Sequence, residues 1–413
     1  MNALILGALL AAAAPPPEPV EGPPIVITAQ SPADAEAALR ACLARHCPPN
    51  EDIDASLALA ETLLDDGKYH PARKVLLKSL SRNKDKAKAF PVPVSDLYRA
   101  NGRVAAHLGL ARAYIVSTLN IYQSLKAGLP EKDARLLGAR MEIAEMLGST
   151  RGHWAARAAY ERIADAARRE GRPDIAAMAE LRSIMRHSPP EEREAKIKAI
   201  AASPDPELRA AVLEARLALV NIAAAEGRPD EAKLLLSALS GVKLNRPVLI
   251  YAPPYTMVEQ ELDSSTDTAR DARFDDRPVA TARSDDARNN SPFGVNAVHM
   301  TNLGAFSTVK RLAPNFEDMW IDVGFWVTRE GKVDDLKVLK KKGNDFWAAP
   351  LLASIRGRLY TAGNGIAIDS YRVERYTYTS HFEPGTGSHL QGRSTRARIE
   401  YLDLSGDGLV ASQ

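Results

Sequence analysis

Met319-Trp320-Ile321-Asp322-Val323-Gly324-Phe325-Trp326-Val327 is the stretch that decides the fold. Met319, Ile321, Val323, Phe325 and Val327 alternate, so an extended strand carries them on one unbroken apolar face. Arg329-Glu330-Gly331-Lys332 supplies a Gly-containing hairpin turn. The return strand holds Val333, Leu336 and Val338, and Lys340-Lys341-Lys342-Gly343-Asn344 is expected to end it. Trp347, Leu351, Ile355 and Leu359 then recur at helical spacing, with the helix starting near Trp347 so that Pro350 falls in its first turn. A third strand is expected over Tyr371 to Phe382. A fourth runs over Arg396 to Leu402, where Ala397, Ile399 and Tyr401 alternate with Arg396, Arg398 and Glu400. The strand face and the helix stripe can bury one another, so their job is stability.

Hairpin, helix and closing strand resemble, in that order, the C-terminal domain of the TonB family of periplasmic proteins. The matching parts are Ile321 to Val327, Glu330-Gly331, Val333 to Leu339, Lys342-Gly343, Phe346 to Leu359 and Tyr371 to Phe382. The resemblance implies a sheet that accepts an extended peptide along its edge, or pairs with a second copy of itself. The expected edge lies on the last strands, at Tyr376, Tyr378 and Arg398.

Upstream, the chain from Ala33 to about Leu239 reads as helical. Gly67-Lys68-Tyr69-His70-Pro71-Ala72, with Leu76, resembles a tetratricopeptide repeat, in which Gly, an aromatic, Ala and a large apolar residue surround a helix–helix turn. Gly171-Arg172-Pro173-Asp174-Ile175-Ala176 and Gly227-Arg228-Pro229-Asp230-Glu231-Ala232 repeat one another: Gly ends one helix, and Pro with Asp opens the next. Long amphipathic stretches are expected at Val104 to Leu125 and Glu131 to Leu147. The irregular spacing makes this a divergent helical-hairpin array. It offers a partner-binding surface or serves only to orient the C-terminal unit, and both readings stand at this level.

The first residues, Ala3 to Ala14, form an uncharged run of about 12 residues, short of the roughly 20 that span a bilayer. A signal peptide with cleavage near Ala13 or Ala14 fits, hence export to the periplasm. Six prolines between Pro15 and Pro24 make an extended linker. Ile25-Val26-Ile27-Thr28-Ala29-Gln30 resembles the TonB box of outer-membrane receptors, but reads more readily as plain linker with some apolar character. Cys42 and Cys47 are a candidate disulfide in an exported chain, or two free thiols. With His46 they do not make a closed metal set.

A formal net charge of +2 across 413 residues suggests no nucleic-acid partner. The eight histidines are scattered, and no His-Glu-x-x-His, phosphate-binding Gly loop or Gly-x-Ser-x-Gly occurs, so neither catalysis nor a cofactor is expected. Asp403-Leu404-Ser405-Gly406-Asp407-Gly408 begins like a calcium loop but lacks the closing bidentate Glu, and a polar turn is expected. Lys337, Lys340, Lys341 and Lys342 make a basic strand edge of the kind that discourages edge pairing or meets an anionic partner.

The expected organisation is a signal peptide and Pro-rich start at 1–22, and a linker and first helix with the Cys pair at 23–50. An all-α array follows at 51–245, then a polar linker at 246–296 and a small α+β unit at 297–405. The expected function is non-enzymatic binding of a protein or extended peptide in the cell envelope, with no transmembrane span. The alternative is an energy transducer coupling the inner membrane to outer-membrane transport. The polar stretch Asp263 to Asn290 implies two independently folding parts.

Overall fold

The computed structural model describes residues 31–239, 247–257, 297–298, 319–361, 370–382 and 397–405. The expected signal peptide, the Ile25–Gln30 segment and the polar stretch from Asp263 to Asn290 lie outside them.

Eleven helices open the described chain: α1 Pro32–Ala44, α2 Pro49–Asp65, α3 Tyr69–Asn83, α4 Pro91–His107, α5 Ala111–Gly128, α6 Ala134–Arg151, α7 His153–Arg169, α8 Pro173–His187, α9 Pro190–Ala201, α10 Arg209–Ala225 and α11 Pro229–Ser237. Proline starts six of them, where its fixed φ suits the helix and its missing N–H costs nothing. Sequential helices pack on one another, and the pairs α2 with α4 and α8 with α10 also touch.

One turn recurs four times. Gly67, Gly109, Gly171 and Gly227 have φ between 66° and 73°. The residue after each glycine donates its N–H five residues back: Lys68 to Leu63, Leu110 to Ala105, Arg172 to Ala167 and Arg228 to Ala223. This is the Schellman closure of a helix, and glycine adopts its left-handed residue without a Cβ penalty. The stretch Val104 to Leu125, expected to be continuous, is thereby split. Gly109 ends α4, and Ala111 restarts the chain in α5.

Beyond α11 come β1 Leu249–Tyr251, β2 Ala297–Val298, β3 Trp320–Val327, β4 Val333–Lys342, α12 Ala348–Arg356, β5 Leu359–Tyr360, β6 Ser370–Ser380 and β7 Ala397–Asp403. The last five-stranded sheet has the order β2-β7-β6-β3-β4, all antiparallel, and β1 pairs with β5 beside it. Trp347 caps α12, so Pro350 does sit in the first turn, where no N–H is required. Two expectations are corrected here. Leu359 leaves the helix stripe, because α12 stops at Arg356 and Leu359 enters β5 half-exposed. The lysine run does not end β4, which continues through Lys342 opposite Trp320.

Strand pleating gives the sheet two covered faces. Ile321, Val323, Phe325 and Val327 pack with Trp347, Leu351 and Ile355 of α12, all buried. On the reverse face, Trp320 and Leu402 join Ile53, Leu64, Tyr69, Leu76, Leu97 and Val104 in the core of α2, α3 and α4. The expectation of two independently folded parts is therefore corrected: the sheet and the first hairpins share one core. A second tie comes from β1, in the segment read as linker. Ile250 packs with Leu217 and Val220, and Asn221 Nδ2 donates to its carbonyl at 2.6 Å.

Candidate functional site

Among the described residues, polar groups gather at the joint where the sheet meets the helix ends and along the outer edge of β4.

At the joint, two arginines of the sheet reach the C-termini of two helices. Arg375 on β6 is fully buried. It binds both oxygens of Asp322 at 2.6 and 2.7 Å, and donates to the carbonyls of Leu64 and, at 2.6 Å, Asp65. Those carbonyls belong to the last turn of α2, where backbone acceptors lack helical donors and the helix dipole is negative. The guanidinium also lies 4.2 Å from the Trp320 ring centre. Burial disfavours its charge, but the Asp322 hydrogen bond together with the charges of Tyr69, Asp322 and Asp65 outweighs that and raises its pKa.

Arg398 on β7 does the same for α4. Nη2 donates to Ala106 O at 2.6 Å, Nε donates to Ser380 O at 2.9 Å, and the group sits 4.0 Å from the Phe382 ring centre. Burial lowers the Arg398 pKa to about 9.

Between the two arginines, Thr377 Oγ1 lies 2.7 Å from Tyr69 Oη and 2.9 Å from His107 Nδ1, and the Tyr69 and His107 rings stack at 5.3 Å. When Tyr69 donates to Thr377 and Thr377 donates to Nδ1, the ring proton falls on Nε2, which is buried without a hydrogen-bond partner among the described residues. Burial, reinforced by Arg398, Arg375 and Arg103, holds the His107 pKa well below its ordinary value; burial also pushes Tyr69 up to about 12. The two turn glycines beneath this joint have a further role. A Cβ at Gly67 would overlap the Trp320 ring and one at Gly109 would overlap Ser380, whereas Gly171 and Gly227 have open space.

The expected edge at Tyr376, Tyr378 and Arg398 is corrected. β6 is flanked by β3 and β7, so the backbones at Tyr376 and Tyr378 are already paired, while β7 pairs with β6 at Arg398 and with the short β2 at Ile399 and Glu400. All three side chains are buried. Tyr376 donates to Glu374, a carboxylate that also accepts from Arg358 at 2.7 Å and from Tyr401 at 3.2 Å. Tyr378 stacks on Trp347 at 5.6 Å. Arg398 belongs to the joint. Cys42 and Cys47 are bonded, with their Cα atoms 5.2 Å apart.

The sequence reading missed Trp320, Asp322, Arg375, Thr377 and His107. A signal was present: the face of β3 opposite the apolar one carries Trp320 and Trp326, too apolar for open solvent.

β4 is the long edge strand of the sheet. Among the described residues, no strand pairs with its outer side. Lys337, Lys340, Lys341 and Lys342 are exposed along it, with Lys337 held by Asp335 at 2.8 Å and Lys341 by Asp345 at 2.9 Å. Val338 and Leu339 are 44% and 45% exposed, unusual for strand apolars. Next to them Tyr371 lies across Gly324 and meets Trp326 at 4.9 Å.

The fold and these sites define a helical-hairpin array whose first hairpins carry an α+β sheet. No family model and no curated protein sequence matches the chain. Among solved structures, the apo form of the quorum sensor NprR from B. thuringiensis superposes with a TM-score of 0.38 at 15% identity, covering 50% of this chain and 58% of that one. The match therefore spans less than two thirds of NprR. BtubC (BKLC) from P. vanneervenii gives a TM-score of 0.38 at 15% identity, covering 56% of this chain and 98% of that one. At these TM-scores neither likeness informs function.

Proposed function

We propose that this protein is a protein-binding scaffold of the cell envelope, and that the outer edge of β4 takes up an extended segment of its partner. The observation that carries this reading is a ten-residue strand whose outer backbone is unpaired among the described residues. Main-chain hydrogen bonds to such an edge provide affinity, and alternate side chains provide selection. The lysines favour acidic residues in the incoming segment and hinder pairing with a second copy of the same basic edge. The TonB resemblance implies binding of this kind, now assigned to β4. Export rests on the apolar N-terminal run. No helix of the described residues is long and apolar enough to cross a membrane.

Lys340 and Lys341 face Asp322 and Ile321 in regular register, so the N–H of one points to β3 and that of the other points outward. Lys340→Pro and Lys341→Pro are compared for folding by near-UV circular dichroism and for binding of an extended acidic peptide panel. One of the two should fold and lose binding. If both fold-competent variants bind as wild type does, β4 is not the edge. Intact-mass measurement of the mature chain from fractionated cells tests export; retention of Met1 in the membrane fraction favours the transducer.

A further inference from the structure

A second surface lies on α3, away from the β4 edge. Between Lys68 and Lys88 the chain carries eight Lys and Arg against one Asp, in a protein whose net charge is only +2. α3 itself contains no Asp or Glu. Tyr69, Ala72, Leu76, Ser79, Leu80 and Asn83 face inward. The opposite side, His70, Arg73, Lys74, Leu77, Lys78 and Ser81, lines a shallow groove of about 320 Å³. The short 3-10 turn Lys84–Lys86 extends the same charge. Lys68 and Arg82 are engaged by Asp66 and Asp52. Lys74, Lys78, Lys84, Lys86 and Lys88 are exposed, and none is in an ion pair with any described residue. Arg73 Nε is buried without a hydrogen-bond partner among the described residues, and Leu77 is 41% exposed at the centre of the face.

We propose that this face docks on the anionic phospholipid headgroups of a membrane surface. Lys74 and Lys78 on one side of α3, with the exposed lysines of the turn after it, give diffuse attraction to a charged plane, and Leu77 can enter the headgroup boundary. A folded acidic protein would call for planar Arg forks, and Arg73 is the one arginine in the groove. Duplex nucleic acid offers nothing to Leu77. The docking is independent of the β4 edge.

The full chain is sedimented with vesicles of pure phosphatidylcholine and with vesicles one-quarter phosphatidylglycerol. Binding is expected only to the second, and is lost at high salt. The triple variant Lys74→Glu, Lys78→Glu, Lys86→Glu should lower partitioning about tenfold or more, while the corresponding triple Lys→Arg variant retains it. Leu77→Ser should weaken binding with the charge unchanged. A Lys340→Glu, Lys341→Glu variant serves as control and should bind like wild type. Failure to bind the anionic vesicles, or loss of binding only in the β4 control, overturns the proposal. So does tighter binding of poly-glutamate or duplex DNA than of vesicles at matched charge, which assigns the face to a soluble polyanion.

Discussion

His107 is held neutral in a pocket shared with Tyr69 from α3, Thr377 and Arg375 from β6, Arg398 from β7 and Arg103 from its own helix. Its folded pKa is depressed below the unfolded value near 6.5, so its contribution to stability is complete above that pH. As pH falls below about 6.5 the unfolded chain takes up the proton first, and stability drops by about 1.4 kcal/mol per pH unit until the folded pKa is reached. Urea midpoints measured from about pH 7 to about pH 5.5 should fall more steeply for wild type than for His107→Gln. Equal slopes would mean the ring is not buried neutral. Gly67 gives a second test at this scale. Gly67→Ala and Gly171→Ala both place Ala at φ 70°, which costs each about 1–2 kcal/mol. Only the first drives a methyl into Trp320, and overpacking adds about 1–3 kcal/mol. Denaturant titration of the two variants should show that gap.

Among the elements, β3 sits at the centre, with one face on α12 and the other on the helix ends. Phe325 is fully buried against the α12 side. Phe325→Ala should cost about 3–5 kcal/mol, read as a lower denaturant midpoint. On the opposite face, Arg375→Met leaves Asp322 buried without its partner and strips acceptors at the end of α2, for a loss of about 3–5 kcal/mol. Adding Asp322→Leu should recover part of that loss, because two apolar groups no longer strand a charge. If the double variant is as unstable as the sum of the two single ones, the pair is not coupled as described.

At the level of the whole molecule, the joint and β1 tie the sheet to both ends of the array. Arg375 and Arg398 close α2 and α4, while Ile250 packs on α10. Calorimetry of the full chain should therefore show one cooperative transition, in which sheet and first hairpins melt together. Two well-separated transitions would count against the shared core. Hydrogen exchange gives finer resolution. Removing the Arg375 and Arg398 side chains should speed exchange in the last turns of α2 and α4 and leave α7 unchanged.

Local chemistry alone determined a good deal about this protein. Proline at helix starts, glycine at helix ends, alternation in β3 and the Trp347, Leu351 and Ile355 stripe each act over a few residues, so the sequence displays them directly. The array, the hairpin–helix–strand unit and the closeness of Cys42 to Cys47 follow from those signals. Tertiary structure alone decided what the polar face of the sheet is for. Tyr376, Tyr378 and Arg398 have the composition of a recognition edge, yet flanking strands pair the backbones of Tyr376 and Tyr378 and all three side chains are buried. Arg375 meets Leu64 and Asp65 across more than three hundred residues, and no pattern within either segment announces the other. The reason is physical. Alternation specifies which residues share a face, but not whether solvent, a helix end or another strand covers it, because that depends on contacts between distant parts of the chain.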